Sequence, residues 1–190
     1  MVDGGSNMAR FIVAIFLLLV WTCCGFAQSG AIYNPPSTLT LTSATSAYSA
    51  SQLIANSATA ASVTVPSIPT PSVSGGFTIP RVRLDTNDST SASWASVTIQ
   101  VDLWSVAPTF NNGDRGAWSI KTGSNNHIAS FTCVMSAEQS DGAFSECSPT
   151  VGTVVLVSSP ATIYWTLEAI SASGTTGASK VFTLTPEILN

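Results

Sequence analysis

WASVTIQVDLWSVAP, residues 94–108, alternates apolar and polar side chains through its middle. Val97, Ile99, Val101 and Leu103 fall on one side of an extended chain. Thr98, Gln100, Asp102 and Trp104 fall on the other, which is the period of a half-buried β-strand. Wound as a helix, the same residues would scatter apolar groups round the axis and crowd three β-branched side chains together. Pro108 closes the run, because it lacks the N–H that a continuing ladder needs. A single strand of this kind cannot bury its face alone, so the chain must supply further strands and a second layer.

Neighbouring segments repeat the pattern. Phe77–Asp85 (FTIPRVRLD) sets Val82 and Leu84 against Arg81 and Arg83, with Pro80 marking a strand start or an edge. His127–Met135 puts Phe131, Cys133 and Met135 on one face. Ala161–Ile170 turns Ile163, Trp165, Leu167 and Ala169 inward. Shorter extended runs are expected at 38–42, 61–66, 153–157 and 180–185, and Tyr48–Asn56 reads as a strand or a short helical turn. The stretches 67–76, 86–93, 109–122, 136–150 and 171–178 read as loops or turns, rich in Gly, Pro, Asn and Ser. The count predicts an all-β protein: one antiparallel β-sandwich of about eight strands, jelly-roll-like, preceded by an apolar leader.

With 190 residues, the chain has room for one domain plus a leader. Charged residues make up only 8% of it, so Ser, Thr, Asn and Gln must supply most of the polar surface. An apolar content of 45% excludes disorder, and a net charge of −4 gives no reason to expect nucleic acid as a partner. Residues 1–27 read as a signal-peptide-like leader: Arg10, an apolar run from Phe11 to Trp21, then Gly25-Phe26-Ala27 with cleavage expected after Ala27. The run is short for a stable membrane span. Residues 28–37 form a linker, and the sandwich domain occupies 38–190.

Cys133 and Cys147 are the two cysteines outside the leader. A disulfide between them would close a modest loop worth roughly 3 kcal/mol, while two buried thiols are the alternative. The spacing does not suit zinc, and neither a metal nor any other cofactor is expected.

Residues able to carry chemistry are few. His127 lacks the GxSxG elbow of a hydrolase and reads as a loop-end polar residue. Asp102 and Glu168 are expected to be solvated outer-face acids rather than a glycosidase pair, whose separation sequence does not supply. Asp85, Asp88, Asp114 and Asp141 lie in or beside loops but do not form the spaced ligand loop of a calcium site. Trp165 shares the core face. Trp104 and Trp118 are the candidates for a contact surface, toward sugar or a neighbouring subunit. No catalytic residue is assigned.

The order IPRVRLDTND, VTIQVDLWSVAPTFNNGDRGAW, HIASFTC and IYWTLEAISASGTTGASKVFTLTPEIL resembles a group of small bacteriophage structural proteins. Leu103-Trp104, Ala107-Pro108-Thr109 and Asn112–Trp118 occupy the places of that group's recurring pattern, and SAYSASQLIANS (46–57) resembles its opening segment. The resemblance spans roughly residues 38–190. It implies a β-sandwich virion component, a head decoration protein or a fibre or spike module, whose partners are copies of itself and capsid or tail proteins. The leader departs from that group, since virion proteins assemble in the cytoplasm. The other expectation is therefore a secreted or periplasmic carbohydrate-binding or adhesive β-sandwich.

Overall fold

The computed structural model describes residues 32–41, 46–71, 76–88, 93–137, 142–150, 155–157, 162–177 and 179–189. The expected leader, residues 1–27, lies outside them, as do residues 28–31 and Asp141. The described chain is all-β and antiparallel. Its strands are β1 (Ile32–Tyr33), β2 (Ser37–Thr40), β3 (Gln52–Ile54), β4 (Ser67–Pro69), β5 (Phe77–Thr86), β6 (Thr98–Trp104) and β7 (Thr109–Phe110). Then follow β8 (Ile120–Thr122), β9 (His127–Val134), β10 (Ser136–Ala137), β11 (Ala143–Pro149), β12 (Val155–Val157), β13 (Thr162–Ala169) and β14 (Val181–Leu189). Six of these are seven residues or longer, and the rest are short edge or hairpin pieces.

Twelve strands form one curled sheet along the path β14, β5, β11, β9, β6, β13. β1 and β2 line the outer side of β14, and β3 and β4 line the outer side of β13. The curl brings inward-facing side chains together in one core. Ile99, Val101 and Leu103 of β6 meet Phe131 and Cys133 of β9, Ile163, Trp165 and Leu167 of β13, Val82 and Leu84 of β5, and Phe182 and Leu184 of β14. All of these are buried, and alternation along the long strands is what places them there. The fold is thus sandwich- or barrel-like, with apolar inner faces and hydroxyl-rich outer ones.

Five local expectations are corrected. Residues 61–66 form no strand: Ala60–Ser62 is a 3₁₀ turn, and the ladder resumes only at β4. Residues 109–122 are not a plain loop, because β7 and β8 pair as a hairpin. The polar excursion 136–150 contains β10 and β11, which carry the path from β5 to β9. Pro80 neither starts β5 nor lies on an edge. It sits between the last β11 pair at Val82 and the first β12 pair at Ile79, beside a register shift in β14, so its missing N–H falls in a gap. Pro186 likewise lies inside β14, where neither β2 nor β1 is paired with it.

Candidate functional site

The outer face of β6, β9 and β13 gathers the polar residues that sequence had singled out. Asp102 lies opposite Ser130 of β9 and Thr166 of β13, flanked along β6 by Gln100 and Trp104. Gln100 Nε2 donates to its carboxylate at 3.0 Å, Ser130 Oγ donates to Oδ1, and His127 Nε2 stands 3.3 Å from the same oxygen. Asp102 is only 3% exposed. It is a pinned acid rather than a solvated one, because the longer Gln100 and Trp104 flank it along β6 and His127 and Ser130 reach it from β9.

Glu168 also departs from the solvated expectation. It is 9% exposed, and among the described residues no group donates to its carboxylate, whose oxygens are not fully shut off from solvent. Burial, with the neighbouring Asp102 charge adding to it, raises its carboxyl above the usual range.

Asp102, His127 and Ser130 are three residue types found in hydrolytic triads, but they do not form a relay. A triad sets the nucleophile and the acid on opposite nitrogens of the imidazole. Here Ser130 Oγ, at 3.1 Å, and Asp102 both face Nε2, and the serine proton points at the carboxylate. The arrangement ties β6 to β9 and does not set the imidazole between the hydroxyl and the carboxylate.

Trp104 does not belong to a contact surface. It is 4% exposed, donates its indole N–H to Thr166 Oγ1 at 2.9 Å and meets the His127 ring edge-on. Facing outward from a strand is not the same as facing water when β9 and β13 flank it with ring and hydroxyl. Trp118 is half-buried, tilted against Phe110, and packs on a small second cluster with Leu53 and Ala55. Cys133 and Cys147 are joined, with S–S 2.03 Å and Cα–Cα 4.7 Å.

Two further buried carboxylates organise loops, and sequence reading gave them no such role. Asp114 accepts from Tyr48 Oη at 2.7 Å, from the Ala55 N–H at 2.9 Å and from Arg115 at 2.8 Å. Burial raises Asp114 despite these donors, and burial with the Asp114 charge raises Tyr48. Asp88, 1% exposed, accepts from the Trp94 indole at 3.3 Å and the Gly177 N–H at 3.2 Å, with Lys180 at 3.7 Å. Both are fold-fixing arrangements that link segments far apart in sequence. Among the described residues, no three His, Cys, Asp or Glu side chains come together to hold a metal.

The hairpin adds a concavity. β7–β8 stands opposite the 3₁₀ turn, leaving a groove of about 350 Å³ lined by Ala60, Ala61 and Val63 on one side and Phe110, Asn111 and Lys121 on the other. Its tip is held by backbone. Gly113 lies so close to residue 58 that a Cβ would stand 2.2 Å from the Ala58 carbonyl oxygen. Arg115, at φ 61°, turns the chain so that residues 115–118 pair beside β3. The signal that could have revealed this is NNGDRG set between Thr109-Phe110 and Ile120-Lys121, a Gly-containing turn between two short extended runs. No protein-family model matches the chain, and no curated protein is similar to it.

Proposed function

We propose that this chain is a non-enzymatic structural subunit of a phage particle, acting by packing against copies of itself and against capsid or tail proteins. The observation that supports this is how its charge is disposed. Among the described residues, Arg81 pairs with Glu187, Arg83 with Asp85, Arg115 with Asp114 and Lys180 with Asp88. Many exposed strand positions carry hydroxyls, such as Thr38, Thr40, Thr132 and Ser148, and charged ones are few. Faces of this kind approach their own copies without the like-charge repulsion that opposed charged rows would bring. The way Asp102, His127 and Ser130 share one nitrogen supports the non-enzymatic part of the reading.

The Cys133–Cys147 bond favours a second reading, an exported carbohydrate-binding or adhesive module, since disulfides persist in oxidising compartments. Expression from Met8 with the leader intact, read by intact mass and light scattering, separates the two. A full-length cytoplasmic product that forms a discrete trimer or larger ring supports the particle subunit. A periplasmic monomer cut after Ala27 and two hydrogens lighter overturns it in favour of the exported module.

A further inference from the structure

We propose that the groove between residues 60–63 and the β7–β8 hairpin binds an acidic sugar, a uronate unit of a polysaccharide. This goes beyond the packing role above and stands on the groove alone, so either can fail without the other.

Three features of the groove define its ligand. The first is an unopposed cation. Lys121 is exposed, and among the described lysines and arginines it alone has no carboxylate within 4.0 Å. No acid lines the groove, so a carboxylate entering it meets the ammonium without a competitor. The second is an oriented amide. Asn111 Nδ2 donates to Ser119 Oγ at 2.8 Å, which uses one of its two N–H groups, fixes the plane of the amide and leaves Oδ1 as an acceptor for a ligand hydroxyl.

The third is the wall. Ala60, Ala61 and Val63 offer small apolar groups with no hydrogen-bonding side chain, facing Pro108 and Phe110. This surface suits the C–H face of a pyranose ring. The volume of about 350 Å³ admits a sugar unit but not a folded domain. A fatty carboxylate would use Lys121 and the wall but has no hydroxyl to donate to Asn111 Oδ1. A neutral sugar would use the wall and Asn111 but leave the cation idle. A uronate uses all three.

The test is titration of the full chain with a galacturonate hexamer, a neutral glucose hexamer, sodium acetate and a short peptide with a free C-terminus, followed by calorimetry and amide chemical shifts. The galacturonate hexamer should bind with Kd below about 1 mM and perturb amides of residues 60–63 and 109–121. Lys121→Gln should weaken it about tenfold or more, and Ala61→Leu, which narrows the groove from the other wall, should do the same. Both positions are exposed, and thermal melts matching the parent show that each variant is folded. If only one variant folds, that one decides. The proposal is overturned if the galacturonate hexamer does not bind, if the glucose hexamer binds as well, or if a folded variant binds like the parent. It is equally overturned if acetate or the peptide binds as tightly as the hexamer, because the site would then read a carboxylate and not a sugar.

Discussion

Asp102 and Glu168 lie diagonally across β6 and β13 on one face, yet their surroundings treat them oppositely. Asp102 accepts from Gln100 and Ser130, with His127 Nε2 at 3.3 Å from the same carboxylate. Glu168 has the burial without the donors, with Asp102 as its charged neighbour. Its folded pKa lies above its unfolded value of about 4.3, so the folded protein holds this proton more tightly. The contribution to stability is therefore full below about pH 4.3 and is lost as pH rises through the raised value. Glu168→Gln removes the ionisation and keeps the shape. At pH 7.5 it should stabilise the protein by a few tenths of a kcal/mol, up to about 1, in urea unfolding, by removing a partly desolvated charge beside Asp102. The gain should shrink toward zero by pH 4. A variant equal to or weaker than the parent at pH 7.5 would show that Glu168 finds a partner in solution.

At the scale of elements, β11 holds the sheet together by belonging to two ladders. Ala143–Cys147 pairs with β5, and Ser148–Pro149 pairs with β9. Extending the Ser148↔Thr132 register by one residue brings Cys147 opposite Cys133. The disulfide thus sits where the β9 ladder stops and the strands part, with Cα atoms 4.7 Å apart, close to the spacing of a non-hydrogen-bonded pair. It replaces ladder bonds at a junction that lacks them. Reduction should cost about 3 kcal/mol by loop entropy and lower the urea midpoint, with the earliest loss of amide protection in β10 and β11. Coincident unfolding curves with and without reductant would mean that the junction holds by packing alone.

The same strand marks how far sequence reading reaches. β6, β9 and β13 are legible because Ile, Val, Leu, Phe and Trp alternate with polar residues, and the large apolar side chains of that alternation lie in the core. β11 presents Ala143, Ser145 and Cys147 to the interior, residues too small and too polar to announce a core face. The hairpin hides in the same way behind Asn and Gly. Trp104 and Asp102 were placed on the correct face, but their burial depends on cross-strand neighbours far away in sequence, which periodicity cannot report.

At the scale of residues 32–189, the curled sheet is bordered by β1 and β2 on one side and by β3 and β4 on the other, with no ladder between the two borders among the described residues. Ser37 of β2 bonds across to the other side. Ser37 Oγ donates to the Ser67 carbonyl at 2.9 Å and accepts from the Trp165 indole N–H at 2.8 Å. Ser37 is 8% exposed and Trp165 is fully buried, so neither bond is exchanged cheaply for water. Ser37→Ala removes the bond across the borders and leaves the indole N–H without its acceptor inside the core. The expected cost is about 1–3 kcal/mol, the penalty of an unsatisfied buried donor. Where it appears is more telling than its size. If Ser37 holds the two borders together, amide exchange in the variant should accelerate first in β2 and β4 while β5, β6 and β9 stay protected, because those central strands have ladder partners on both sides. Uniform acceleration would instead assign the loss to the Trp165 core contact and would mean that the borders are held by the packing beneath them.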